Sequence, residues 1–187
     1  MKVQVRRSVF ETNSSSTHSI SIIKKSDINE FPDKVIFGKG EFGWDFDIHF
    51  DTATKAEYLW EAITSCYWNN IDKVNNAIKS ITDILAKHNI KALFPYAANM
   101  KVKVHKYDDG SEYTYIKFMN NDDEEDSGYI DHGNEVGDFL EDVISNDKKL
   151  MNYLFDYNSY VSTGNDNSDE ELDCPNFGKS WEYYKSN

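Results

Sequence analysis

Apolar residues recur along the chain at two spacings, and each spacing predicts a different kind of element. Every second residue from 42 to 50 is apolar, which predicts a strand with one buried and one polar face. Short runs rich in β-branched residues predict further strands at residues 2–5, 18–25 and 34–38. Two alternating runs, 100–104 and 113–119, flank the turn pair Asp109-Gly110 and predict a hairpin.

Four other segments are apolar at the spacing of a helical turn and predict amphipathic helices. Their expected starts are Thr52 or Thr54, Asp72, residue 134 and Asp147. The second helix is expected to close at His88-Asn89, and the third at about residue 145. Short links join the first helix to the second and the third to the fourth, which predicts two helical pairs.

The C-terminal part of the chain predicts less regular structure. Residues 120–128 contain five adjacent acidic side chains that repel one another, so we expect a loop there. Residues 163–176 also predict a loop, and Trp181–Tyr184 predicts an edge strand or a short helix. Because strands and helices fall in separate blocks, the chain is expected to form an α+β fold with antiparallel sheets, as a single compact domain over residues 1–187.

Composition excludes several classes of protein. The 187 residues include 4 Trp, 12 Tyr and 11 Phe, which is incompatible with a wholly disordered chain. No apolar run reaches the roughly 18 residues that a membrane span needs, and the first residues do not resemble a secretory signal. The two cysteines, Cys66 and Cys174, are far apart, and Cys66 lies beside an apolar helical stripe. These features predict a cytoplasmic protein with free thiols.

Acidic side chains are concentrated in one part of the sequence. The net charge is −13, and residues 120–187 carry eighteen Asp and Glu against four Lys and Arg. Such a field repels nucleic acids and anionic membranes, but it attracts proteins that bind nucleic acids. The alternative is an acidic surface that only keeps the protein soluble. The candidate partner-binding residues are Asp122, Asp123, Glu124, Glu125, Asp126, Glu135, Asp138, Glu141, Asp142, Asp169, Glu170 and Glu171.

A dense run of hydroxyl and amide side chains follows two arginines near the start of the chain. Arginine and hydroxyl donors are suited to phosphate, so this segment is a candidate phosphate or nucleic-acid contact, although it lacks the glycines of a P-loop. The candidate residues are Arg6, Arg7, Asn13, Ser14, Ser15 and Ser16. The alternative is a surface turn whose side chains bond to their own backbone.

Two further groups of residues suggest chemistry. If His18 and His132 met in space, with Asp131 beside them, they would supply acid–base catalysis on a phosphate ester or nucleotide. Asp45, Asp47, His49 and Asp51 alternate along the predicted strand, and hard oxygen donors with one imidazole would suit Mg²⁺ or Mn²⁺. The alternative is the solvated face of a half-buried strand, and no cofactor is otherwise indicated.

The segment Arg6-Arg7-x-x-Phe10-Glu11-Thr12-Asn13-Ser14-Ser15-Ser16-Thr17-His18-Ser19 resembles the opening of a family of small proteins from Firmicutes and their phages. Two later motifs add to the likeness, Asp131-His132-Gly133 and Ser159-Tyr160-x-x-Thr163-Gly164-Asn165-Asp166-Asn167. The family is associated with type II-A anti-CRISPR proteins of clostridia and their mobile elements.

The resemblance implies an inhibitor of the RNA-guided DNA-cutting nuclease, acting in the cytoplasm of a bacterial host. No catalytic residue is implied by it. The charge map agrees, because such nucleases hold nucleic acid in basic channels. Three hypotheses therefore stand: an inhibitor that binds a basic nuclease, with weak direct DNA contact through the arginines; an enzyme using His18, Asp131 and His132; and an accessory protein with another partner.

Overall fold

The computed structural model describes residues 16–23, 31–43, 45, 47–125, 128–131, 136–165 and 180–186. Within these ranges the chain has an α+β fold built around one buried helix, α1 (Thr52–Cys66). The other helices are α2 (Ile71–Ala86), α3 (Gly137–Ser145) and α4 (Asp147–Phe155). All four predicted helices are thus confirmed, and α3 begins at Gly137 rather than near residue 134.

The largest sheet has four antiparallel strands. In spatial order they are β10 (Ser180–Ser186), β1 (Ser16–Ile23), β9 (Tyr160–Asn165) and β4 (Asp47–His49). Strand β1 matches the prediction for residues 18–25, and β10 is the edge strand predicted for Trp181–Tyr184. The prediction of a loop from residue 163 is wrong for residues 163–165, because Thr163 and Gly164 pair with His18 and Thr17 of β1.

Three two-stranded sheets complete the described strands. Strand β2 (Lys34–Ile36) pairs in parallel with β5 (Lys91–Leu93), and β3 (Glu41–Phe42) pairs in parallel with β8 (Tyr129–Ile130). Strands β6 (Lys101–Lys106) and β7 (Glu112–Lys117) form the predicted antiparallel hairpin. The expectation of antiparallel sheets is therefore right for the large sheet and the hairpin, whereas the two shortest pairs are parallel.

The predicted continuous strand over residues 42–50 is wrong. Its start forms β3 and its end forms β4, and these two strands belong to different sheets. Phe42 is buried, Ile48 is half-buried and Phe50 is exposed, so the alternating apolar residues do not share one environment. The strand predicted at residues 2–5 lies outside the described residues.

Helix α1 is buried on most of its circumference and forms the centre of the core. Its predicted stripe was Ala56, Leu59, Trp60, Ile63 and Tyr67, and all five are buried. Tyr58 and Ala62 are also fully buried, because α1 packs against α2, α3, α4, β2, β8 and β9. The remaining helices each turn one apolar face toward this central helix.

Candidate functional site

Helix α3 carries two exposed carboxylates on the side opposite its core contacts. Phe139, Leu140 and Val143 are buried, whereas Asp138 and Glu141 are exposed. Asp138 lies in the first turn, where the helix dipole favours a negative charge. Since the apolar face of α3 is fixed in the core, these two predicted partner-binding carboxylates lie on a rigid element.

The third predicted carboxylate of α3, Asp142, is engaged inside the fold. Its Oδ2 atom accepts a hydrogen bond from Lys149 Nζ at 2.7 Å and another from the Tyr184 hydroxyl. These two bonds hold the pKa of Asp142 below its ordinary value. Asp142 therefore joins α3 to α4 and β10, which makes it a structural residue as well as a surface acid.

The acidic segment after β7 is an ordered turn rather than a shapeless loop. Asn120 Oδ1 accepts hydrogen bonds from the backbone N–H groups of Asp122 at 2.9 Å and Glu124 at 2.8 Å. The Asn120 N–H donates to the Glu124 carbonyl at 2.9 Å, and Met119 bridges to Glu125. The side chain of Asn120 thus organises the backbone, while the carboxylates from Asp122 to Glu125 are exposed and do not have to pack together.

Two of these carboxylates face lysines of the hairpin. Lys101 Nζ lies 3.5 Å from Asp123, and Lys117 Nζ lies 2.6 Å from Glu125. Both pairs are solvent-exposed and contribute little to stability. The two lysines neutralise two of the four carboxylates in the turn. Asp122 and Glu124 are the two that have no lysine partner among the described residues.

His18 is fully buried in the centre of the large sheet. Its neighbours across the strands are Ser186 of β10 and Thr163 of β9, and its ring centroid lies 6.1 Å from that of Tyr58. Burial raises the pKa of Tyr58 far above its ordinary value. The imidazole of His18 therefore faces the protein interior and not solvent.

Asp131 follows β8, and its backbone N–H donates to the Phe42 carbonyl at 2.9 Å. Its side chain is half-buried. Of the serine-rich segment, the structure places the backbone of Ser16, which pairs with Asn165. The remaining predicted site residues lie outside the described residues: Arg6, Arg7, Asn13, Ser14, Ser15, Asp126, His132, Glu135, Asp169, Glu170 and Glu171.

The four candidate metal ligands do not share one strand face. Asp45 lies in a bend before β4, and Asp51 caps α1 by accepting a hydrogen bond from the Thr54 N–H at 2.8 Å. Only Asp47 and His49 lie on β4, with Oδ2 and Nδ1 3.9 Å apart. Within the described part of the chain, no three His, Cys, Asp or Glu side chains lie close enough together to hold a metal ion.

Cys66 lies near the end of α1 and is half-buried. Burial raises the pKa of its thiol to about 11. At neutral pH the group is therefore a thiol and not the reactive thiolate.

An aromatic surface on the hairpin was not predicted from the sequence. Rings of His105, Tyr107, Tyr113 and Tyr115 adjoin one another, and Trp68 from the link between α1 and α2 packs edge-on against Tyr113 with ring centroids 5.7 Å apart. The spacing of Tyr113 and Tyr115 along a predicted strand places both rings on one face, so this part of the surface could have been predicted. The contact with Trp68 could not, because Trp68 is distant from the hairpin in sequence.

Comparisons with known proteins supply no relative for this arrangement. Neither a protein-family model, nor a curated protein, nor a solved structure matches the chain. Among the helices of the described residues, none has the length and the apolar composition that a membrane crossing requires.

Proposed function

We propose that this protein is a non-enzymatic inhibitor that binds a basic, nucleic-acid-dependent defence nuclease. The target class is the RNA-guided DNA-cutting type, as in anti-CRISPR inhibition, and binding blocks DNA binding or cleavage. The observation that carries the proposal is the rigid presentation of Asp138 and Glu141 on α3, whose opposite face is fixed in the core.

Electrostatics supply the mechanism. RNA-guided nucleases hold nucleic acid in positively charged channels, and fixed carboxylates compete with phosphates for the same cationic side chains. The ordered turn from Asn120 to Glu125 adds further exposed carboxylates in defined positions. A net charge of −13 attracts the basic partner over a distance and repels free nucleic acid.

The enzyme hypothesis has less support among the described residues. It requires His18 to reach a substrate, but the side chain of His18 is fully buried in the sheet.

The test compares two double charge reversals in a cleavage assay with a guide-loaded type II-A nuclease and target duplex at low salt. Asp138→Lys with Glu141→Lys is expected to weaken inhibition at least about tenfold, equivalent to ~1.4 kcal/mol. Asp33→Lys with Glu41→Lys is the matched control, because both residues are exposed and the change in net charge is the same.

Three results would decide the proposal. Selective loss of inhibition in the α3 variant supports it, whereas equal loss in the control means that net charge alone is responsible. Absence of inhibition by the wild-type protein refutes it. Asn13→Ala, in the serine-rich segment, is expected to leave inhibition unchanged. Loss of inhibition in this variant would favour the enzyme hypothesis.

A further inference from the structure

One face of the β6–β7 hairpin combines aromatic rings with lysines. In an antiparallel pair, residues that lie opposite each other project to the same face, and the faces alternate along each strand. On this face the register places the side chains of Lys101, Lys103, His105, Tyr113, Tyr115 and Lys117. Strands β6 and β7 contribute no acidic side chain to it, because Glu112 lies opposite Lys106 on the other face.

The aromatic end of this face forms an open groove of about 630 Å³ that is lined by Trp68, Tyr107, Tyr113, Tyr115 and Ile116. The side chains of Trp68, Tyr107 and Tyr113 are 40%, 52% and 37% exposed. The ring centroid of Tyr113 lies 5.7 Å from that of Trp68 and 5.6 Å from that of Tyr107. The groove therefore presents several adjoining rings to a ligand rather than one.

The groove is held in shape by backbone hydrogen bonds. The Ile116 N–H donates to the Trp68 carbonyl at 2.7 Å, which fixes the link between α1 and α2 to the edge of β7. The Tyr107 N–H donates to the Ser111 carbonyl at 2.8 Å and holds Tyr107 at the end of the hairpin. The rings are therefore arranged before any ligand binds, which reduces the entropic cost of binding.

The charged side chain placed beside the groove rings is a lysine. Lys103 lies opposite the groove residue Tyr115, is exposed and has no ion pair among the described residues. The acidic turn after β7 pairs instead with Lys101 and Lys117, at the far end of the hairpin from Tyr107. At physiological salt the Debye length is about 8 Å, so the distant carboxylates of a chain of net charge −13 act on a bound ligand less than Lys103 does.

We propose that this groove binds single-stranded nucleic acid, with bases stacked on Trp68 and Tyr113 and a backbone phosphate on Lys103. Aromatic side chains stack on any base, and basic side chains beside them bind the backbone. In a duplex the ring faces of the bases are covered, so only an unpaired strand can use these rings. Because Asp108-Asp109 occupies the hairpin turn, we place the phosphates toward Lys103 and away from the turn. This inference goes beyond the proposed function and does not depend on it.

The test uses an oligothymidylate of about eight nucleotides at about 150 mM sodium chloride. Its matched probes are an abasic oligonucleotide of the same length, the same oligothymidylate annealed to its complement, a glutamate peptide and an arginine peptide. The readout is the NMR signal of the Trp68 indole Nε1–H, assigned by its loss in Trp68→Phe. We expect the oligothymidylate to shift this signal saturably and the four other probes to bind at least about tenfold more weakly.

Matched tyrosine variants locate the stacking. Tyr113→Leu and Tyr107→Leu should each weaken oligothymidylate binding at least about fivefold, the low end of the range for loss of one stacked base. Tyr157→Leu is the control, because Tyr157 is 76% exposed and lies outside the groove. Tyr107 is itself 52% exposed, so its replacement removes little core packing.

A matched lysine pair locates the phosphate. Lys103→Gln should make the slope of log affinity against log salt shallower by about 0.7, the value for one phosphate contact on a single strand. Lys91→Gln is the control, because Lys91 is exposed and belongs to a different sheet. The two variants have the same net charge, so a slope that changes equally in both would contradict a phosphate contact at Lys103.

Outcomes for the groove and for the proposed function are distinguishable. Equal binding of the abasic probe, equal or stronger binding of the duplex or of a peptide, or equal affinities of the Tyr113, Tyr107 and Tyr157 variants would overturn the groove assignment, whether or not nuclease inhibition is intact. A normal Trp68 response together with absent nuclease inhibition would remove the proposed function and retain the groove.

Discussion

Lys55 is a charged residue that lies entirely inside the protein. Its Nζ atom donates to the carbonyls of Asp156 at 2.9 Å and Ser159 at 3.1 Å, just after α4. The Asp156 carbonyl also accepts from the Ser159 N–H at 3.1 Å, so the lysine adds a second donor where the chain leaves the end of α4. Burial lowers the pKa of Lys55 to about 8.

Because of this lowered pKa, the free energy of unfolding changes with pH in the alkaline range. Between about pH 8 and 10.5 the unfolded chain binds the Lys55 proton more tightly than the folded protein, so the free energy of unfolding rises with pH in this window. Relative to Lys55→Met, we expect the wild type to gain up to about 3 kcal/mol there. Urea unfolding of both proteins at pH 7.5 and 10.5 measures the difference.

The comparison with Lys55→Met is needed because other groups titrate in the opposite sense. Burial raises the pKa of Cys66 to about 11, so that thiol reduces stability as pH rises above its unfolded value. The variant retains Cys66 and loses only the lysine. An unfolding free-energy difference between the two proteins that stays flat from pH 7.5 to 10.5 would contradict the assignment to Lys55.

At the scale of elements, the small β3–β8 pair is packed tightly against α1. Buried Glu61 of α1 accepts a hydrogen bond from the Gly40 N–H at 3.0 Å, and the Gly40 carbonyl accepts one from Tyr129 N–H at 2.9 Å. A Cβ atom at Gly128 would lie 2.0 Å from Glu61 Oε1 and 2.6 Å from the Gly40 carbonyl oxygen. Only glycine fits where these three segments meet.

Replacing Gly128 by alanine should therefore destabilise the protein by about 1–3 kcal/mol, the usual cost of overpacking. Gly137→Ala is the matched control, because a Cβ there meets nothing within 4 Å and alanine favours the helix that begins at this residue. Thermal unfolding monitored by circular dichroism should show a lower Tm for the first variant only. Similar Tm values would mean that the β3–β8 pair is not closely packed in solution.

Element positions could be predicted from the sequence better than element boundaries and partners. All four helices follow from apolar spacing, but the capping side chains are Asp51, Asn70 and Asn146, each one to three residues before the predicted starts at Thr52 or Thr54, Asp72 and Asp147. Several adjacent residues are good caps, so local preference could not choose among them. Partners far apart in sequence, such as β4 with β9, leave no local signal.

In the candidate sites, too, features with a local sequence pattern could be predicted and features that depend on tertiary contacts could not. The exposed carboxylates of α3 could be predicted because they follow directly from helical periodicity. The Asn120-centred turn could not, since it depends on one side chain accepting from two backbone amides. The aromatic groove also escaped prediction, because Trp68 joins the hairpin only through tertiary contacts.

At the scale of the whole molecule, charge has opposite effects on the free protein and on the proposed complex. With a net charge of −13, the excess acidic side chains of the folded protein repel one another, and salt screens that repulsion. Salt also screens the attraction to a basic partner. We therefore expect added sodium chloride to raise the Tm of the free protein while it weakens inhibition of the nuclease.

Differential scanning calorimetry and the cleavage assay, each from 20 to 300 mM salt, would measure the two trends. The variant Asp138→Lys with Glu141→Lys should gain less in Tm, because its net charge is less negative. A fall in the Tm of the wild type with salt would show that ion pairs such as Lys117 with Glu125 outweigh the self-repulsion.

The central position of β1 has a consequence for biosynthesis. Strand Ser16–Ile23 is translated well before both of its neighbours in the sheet, Tyr160–Asn165 and Ser180–Ser186. Until those strands are made, the nascent strand has two unpaired edges that other chains could bind. In contrast, α1, α2 and the hairpin form through contacts that are local in sequence. We therefore expect the yield of this protein to respond to chaperones that shield exposed β-edges during translation.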